Sequence, residues 1–211
     1  MMADNEEPEF LLLGNDPALD LLNTTPVLAS EPVDLLPDYA ALARWLAAAG
    51  LATAREGREL RERWQNSAQG LRALAEVKAL REALRGILVA TASGAAVSAS
   101  WLETVNAALG RAHVRQAIEW DARAWRFSLR LSRDQEGAAT ASVRVAESIA
   151  ALLSGKDLSC VRKCENPSCV LWFYDTSKNH TRRWCSMDLC GNRAKVAAHY
   201  RRNAGRSRTL R

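Results

Sequence analysis

Apolar positions make the first divisions of the chain. Leu71, Leu74, Val77, Leu80, Leu84 and Ile87 recur every three or four residues within a stretch rich in Leu, Ala, Arg and Glu. That period predicts a helix over 71–92 with one buried face. Shorter helices are expected around it. In "PDYAALARWLAAAG" (37–50), Pro37 suits a first turn and Gly50 a C′ stop. Thr53 followed by Glu56 fits a capping box for a helix reaching Asn66, and Ser100 with Glu103 offers a second box for a helix closed by Gly110. Between 114 and 132 the period falls to two. Trp125, Phe127, Leu129 and Leu131 alternate with Arg126, Ser128 and Arg130, "VRQAIEW" precedes them, and Asp121-Ala122 lies between. This predicts a β-hairpin with one buried face. Residues 138–154 return to a helical pattern, and 10–24 read as extended or mixed around a turn at Gly14–Pro17. The result is an α+β chain with a mostly helical body over 1–155, whose Leu, Ala and Trp residues form a core able to fold alone.

Composition narrows the class. Apolar residues make up 48% and charged residues 25%, which fits a globular protein and excludes wholesale disorder. No apolar run reaches the roughly 18 residues of a membrane helix. "EFLLLGNDPALDLLNTT" lacks the basic flank and cleavage site of a secretory signal. A cytoplasmic location with no membrane partner is expected. Charge is divided: residues 156–211 carry a net +9 and residues 1–155 a net −4. A basic tail on an acidic body expects an anionic partner.

All five cysteines lie in that tail, at 160, 164, 169, 185 and 190. An odd count in a cytoplasmic chain argues against disulfides and for a metal. Cys164-x4-Cys169 and Cys185-x4-Cys190 form two symmetric pairs separated by 15 residues. Two thiolate pairs on converging turns suit one tetrahedral Zn²⁺, with sulfurs at about 2.3 Å from the metal. Asn166-Pro167-Ser168 supplies turn chemistry in the first pair. Cys160 can compete with Cys164, and His180 can reach a metal, but four thiolates already close the site. The expected finger, 156–211, runs knuckle, β-hairpin, knuckle, helix, similar in plan to a treble clef. "VLWFYD" and "RRW" are its strands and "GNRAKVAAHYRRNAG" its helix. A unit this small needs its metal to fold.

The tail resembles the CGNR zinc finger, named for Cys190-Gly191-Asn192-Arg193, with "FYDTS" and "RRWC" matching its pattern. The resemblance implies Cys164, Cys169, Cys185 and Cys190 as zinc ligands. "LDLLNTT" (19–25) followed by "LARWLAAAGL" is similar to the start of the ABATE domain, which accompanies this finger in bacterial proteins described as stress-induced transcriptional regulators.

At about 100° per residue, Asn192, Lys195, His199, Arg202 and Arg206 share one face of the last helix, while Val196, Ala197 and Tyr200 suit packing on the finger. Asn, Lys and Arg on such a face can contact phosphates and base edges. Lys178, Arg182 and Arg183 would add phosphate contacts, and Arg193, nearer the packed face, would brace the finger. The expected function is a DNA-binding transcriptional regulator whose body senses a ligand or forms a homodimer. The rival reading is a zinc-dependent module docking on an acidic partner protein. No enzyme is expected, because a four-thiolate site has no open position and the body shows no nucleophile–base pair. His113 is read as structural. A small-molecule effector or enzymatic site in the body would need a pocket near Asn23 and Thr24.

Overall fold

The computed structural model describes residues 10–28, 30–134, 137–192 and Lys195. Its frame is helical. α1 spans Pro17–Leu22, α2 Tyr39–Ala48, α3 Ala54–Trp64, α4 Ala68–Ser93, α5 Ala99–Leu109 and α6 Thr140–Gly155. α6 lies at the centre, packed on α1, α2, α4 and α5. Val145, Ile149 and Leu152 of α6 meet Leu80, Leu84 and Leu88 of α4 and the fully buried Tyr39 and Trp45 of α2 in one apolar cluster. Tyr39 Oη donates to the Ala138 carbonyl at 3.2 Å, fixing the entry to α6.

Local chemistry explains most helix ends. α2 starts at Asp38, whose carboxylate accepts the Ala41 N–H at 2.7 Å, and stops at Gly50 in the left-handed region (φ +73°). The capping box of α3 is present in both directions, Glu56 N to Thr53 Oγ1 at 3.2 Å and Thr53 N to Glu56 Oε2 at 2.7 Å. α4 begins slightly earlier than its apolar period, because Ser67 Oγ accepts the Gly70 N–H at 2.9 Å. α5 begins at Ala99 with Ser98 as its cap residue and no side-chain capping bond, so the box expected from Ser100 and Glu103 does not form. The Ser100 hydroxyl pairs with that of Ser98 at 2.8 Å instead. Gly86 lets α5 approach α4, since a Cβ there would lie 2.5 Å from the Trp101 ring. α1 is a helix within the stretch read as extended or mixed. Its six residues are too few for a visible period, and its start is the Asp16 carboxylate accepting the Ala18 N–H at 2.8 Å, with Pro17 in the first turn.

Buried charge ties loops to this frame. Arg81 of α4 forms a two-bonded ion pair with Asp34 at 2.9 and 3.1 Å and donates to Thr24 Oγ1 at 2.9 Å. Burial pushes the Asp34 carboxyl up, but the bonds from Arg81 and Lys78 outweigh it and hold the group at about 2. Asp34 follows a small ladder of β1 (Val27–Leu28) and β2 (Glu31–Pro32).

The long hairpin forms where the two-residue period placed it. β3 (His113–Asp121) pairs antiparallel with β4 (Arg126–Asp134), from His113 opposite Asp134 to Asp121 opposite Arg126. Its expected burial does not occur. Trp125, Phe127 and Leu129 are exposed, and the side chain of Leu131 lies outside the described residues. Alternation reports which side chains share a face, and the helical body does not cover this one.

A candidate metal centre

Residue Cys160 ends a single 3-10 turn (Leu158–Cys160) and leads into β5, Val161–Lys163. β5 pairs antiparallel with β6 (Trp172–Tyr174), Val161 opposite Tyr174. The partner of 172–174 is thus the lead-in strand, and 182–184 is not a strand. The first cysteine pair therefore sits at the tip of this hairpin. Cys164 N–H donates to Leu171 at 2.9 Å, and the Asn166 carbonyl accepts from Cys169 at 2.8 Å across the turn.

From β6 the chain returns through a loop organised by Asp175, which is fully buried. Its carboxylate accepts the Ser177 N–H at 2.9 Å and the Arg182 N–H at 2.8 Å. Burial raises its pKa, and these bonds more than offset that, holding the carboxyl below its ordinary value. Arg182 then braces the second knuckle. Its guanidinium donates to the Trp184 carbonyl at 2.9 Å and to that of Cys185, and it lies 4.4 Å from the ring centre of the buried Phe173. Cys185 precedes a π-helical turn, Met187–Gly191, and Cys190 lies within it. Ser186 caps it, accepting the Asp188 N–H at 3.2 Å through its hydroxyl and the Cys190 N–H at 3.1 Å through its carbonyl.

The four sulfurs converge. Those of Cys164, Cys169, Cys185 and Cys190 all lie within 4.8 Å of one another. Cys169 to Cys185 is 3.8 Å and Cys185 to Cys190 is 3.6 Å. A tetrahedron with bonds of about 2.3 Å has edges of about 3.8 Å, so the donor set fits one structural zinc. Three of the cysteines are buried and Cys169 is half-buried. Crowding shows in their acidity. A hydrogen bond from Cys185 holds the Cys169 thiol down at about 5, while giving that proton, together with burial, pushes Cys185 up. A dication relieves this by letting all four sulfurs carry charge. N–H groups support the sulfurs from outside: Asn166 Nδ2 lies 3.3 Å from Cys190 Sγ, joining one knuckle to the other, and Cys185 N lies 3.4 Å from Cys164 Sγ. Asn166 was visible in the sequence only as a turn residue.

Cys160 and His180 stand apart from this cluster. Cys160 Sγ lies 3.4 Å from His180 Nδ1, which also lies 3.1 Å from the Asp175 carbonyl.

The finger is seated on the body. Asn23 Nδ2 donates to the Trp172 carbonyl at 3.0 Å, and its Oδ1 accepts the Trp172 N–H at 2.8 Å. The Gly14 carbonyl accepts from Tyr174 at 2.8 Å, and Lys156 pairs with Asp16 at 2.7 Å. The Trp172 side chain belongs to the body's apolar cluster, while Leu11 and Leu13 pack against the cysteine cluster. Asn23 and Thr24, the residues weighed for a ligand site, both have protein partners. Asn23 clamps the finger, and Thr24 is buried between its bonds to Arg81 and the Leu21 carbonyl.

Residues 15–156 match the family model named ABATE, described as "Putative stress-induced transcription regulator". The chain belongs to this family. Its next segment, 161–203, matches the CGNR zinc finger. No curated protein matches the chain. In this ABATE chain, Asn23 of "LDLLNTT" is the residue that bonds body to finger.

Of the residues expected at a nucleic-acid surface, Lys178, Arg183, Asn192 and Lys195 are exposed on the CGNR finger. Arg183 pairs with Glu165 at 2.5 Å. Arg182, half-buried, also borders the cleft described below, but its guanidinium is engaged by two carbonyls and by Phe173, a bracing role that sequence assigned to Arg193. His199, Arg202 and Arg206, like Arg193, lie outside the described residues. Two cations that sequence reasoning passed over are exposed on β5. Arg162 and Lys163 join Arg183, His180 and the end of α4 (Val89, Ser93) around a cleft of about 580 Å³. Their signal was a basic pair on the lead-in strand of a basic module.

Proposed function

We propose that the protein is a transcriptional regulator that binds DNA through its zinc finger. The observation carrying this reading is the set of exposed cations, Arg162, Lys163 and Arg183 on the cleft and Lys178 and Lys195 beyond it, within a tail of net +9. Phosphate contacts need exposed, solvated cations on a rigid support, and the metal-tied hairpin supplies the support. Asn192 is exposed, and an amide on such a finger would read a base edge. In this reading the two units meet at 155/156, the protein works in the cytoplasm, and its body senses a ligand or forms a homodimer. It is not an enzyme: zinc held by four thiolates stiffens the finger and offers no position to a substrate.

Fluorescence anisotropy with labelled fragments of chromosomal DNA tests this. Tight binding that weakens steeply with salt supports it. Binding to an acidic protein with no affinity for DNA at low salt contradicts it and favours an interaction finger.

A further inference from the structure

The β3–β4 hairpin shows water an apolar face. Ile118 opposes Leu129 and Trp120 opposes Phe127 in the register, so the four share one side. Trp125 joins them from the turn, its ring 5.1 Å from that of Trp120, which also lies 4.8 Å from Phe127. Exposure is 74% for Ile118, 45% for Trp120, 80% for Trp125, 73% for Phe127 and 63% for Leu129. The other side carries Glu119, Asp121, Arg126 and Ser128. Among the described residues the hairpin's extensive packing is between its own strands. A two-stranded ribbon with nothing over its apolar face is marginal in water.

The turn adds a second observation. Asp121 accepts the N–H groups of Arg123 and Ala124 at 2.9 and 3.0 Å, and the chain then passes through Trp125 at φ +47°. Glycine is the ordinary residue in that region, and a bulky side chain there is strained. The strain places an indole on the apolar face.

We infer that this face is where two copies of the chain meet, packed side to side about a twofold axis. The inference rests on the dimeric reading above and adds the surface to it. Three points select a second copy. The five side chains bear no charge, so the face does not suit nucleic acid or an acidic protein. With aromatic side chains offering roughly 150–250 Å² each, the exposed part amounts to roughly 700 Å² per copy, close to the roughly 800 Å² per partner of a stable interface. A twofold pairing needs one self-complementary patch, and two identical uncharged aromatic faces satisfy that.

Sedimentation of the full zinc-loaded chain over a wide concentration range tests the inference. Wild type should be a dimer. Phe127→Glu should raise the dissociation constant by about 100-fold or more, since it places a charge in each half of the contact. Trp125→Gly should weaken association while leaving the melting point of the dissociated chain unchanged or higher. Ser128→Glu, on the polar side, should remain dimeric. Replacing 115–132 by a short Gly-Ser linker guards against misfolding of a point variant: it should give a monomer with the helical signal and zinc content of the body and finger retained. A wild-type dimer that survives both Phe127→Glu and the linker replacement overturns this surface and leaves the dimeric reading standing. A wild type that stays monomeric at every concentration overturns both, and co-sedimentation of that monomer with anionic lipid vesicles would assign the face to a membrane surface.

Discussion

Asn23 and Trp172 are joined by two hydrogen bonds, at 2.8 and 3.0 Å, in which the asparagine side chain stands in for the backbone of a neighbouring strand. The contact is buried on both sides, and it connects the C-cap of α1 to the first residue of β6, just after the first cysteine pair. Asn23→Ala strands the Trp172 N–H and carbonyl, each at a cost of about 1–3 kcal/mol. Urea denaturation should show a loss of about 2–4 kcal/mol with no change in zinc content under native conditions. A loss below about 0.5 kcal/mol would show that water replaces the clamp.

Shared packing makes zinc matter to the whole chain. Because Trp172 lies in the body's apolar cluster, unfolding the finger withdraws a large side chain from that core. A chelator should therefore lower the melting point of the helical signal as well as melting the finger. The self-sufficient body expected from periodicity would keep its melting point unchanged, and that outcome would contradict the coupling.

Ligand identity is tested one thiol at a time. The chain as purified should hold one zinc, and Cys164→Ser, Cys169→Ser, Cys185→Ser and Cys190→Ser should each lose it. Cys160→Ser and His180→Ala should keep it, since both residues lie outside the cluster. Asn166→Ala, which removes the N–H bridge to Cys190, should weaken zinc by about 10–100-fold in a chelator competition. Full zinc in Cys185→Ser would refute the assignment.

Asp20 gives the pH dependence a definite sign. Burial, with a smaller push from the Asp16 charge, raises its pKa from 3.8 to about 6 against bonds from Gly14 and Asn23. The folded chain thus holds a proton that the unfolded chain has released between those values, so this group's contribution to stability falls as pH rises from about 4 to about 6. Asp20→Asn keeps an acceptor for the Gly14 N–H, bonded at 2.7 Å. It should gain on wild type across that window, by up to about 3 kcal/mol at pH 7, and show no gain below pH 4. A stability difference that stays flat from pH 4 to 7 would rule this out.

How much of this was legible in the sequence follows the range of the forces. The Thr53–Glu56 box, the period of α4 and the two x4 cysteine pairs are local, and each lies where residue type and spacing put it. The hairpin was legible as strands, but alternation names a face without naming what covers it, so Trp125, Phe127 and Leu129 were expected inside. Asn23, Asn166 and Arg182 act across 149, 24 and 2–3 residues respectively. The first two need the fold before their partners exist. Arg182 was close to its targets, but on a basic finger its charge read as a phosphate contact. The pairing of 172–174 with 161–163 was missed because "RRW" offered a nearer strand candidate.

The central claim is that the zinc-tied finger binds DNA through the cations on its cleft. The most direct measurement is the slope of log affinity against log salt for wild type and for the double variant Arg162→Ala/Lys163→Ala, by anisotropy, with zinc measured on the same samples. Each lost phosphate contact should reduce the slope by about 0.9. The double variant should therefore bind more weakly at every salt concentration, with a slope shallower by about two and full zinc retained. An unchanged slope at full zinc, or no DNA binding by wild type at low salt, would contradict the account.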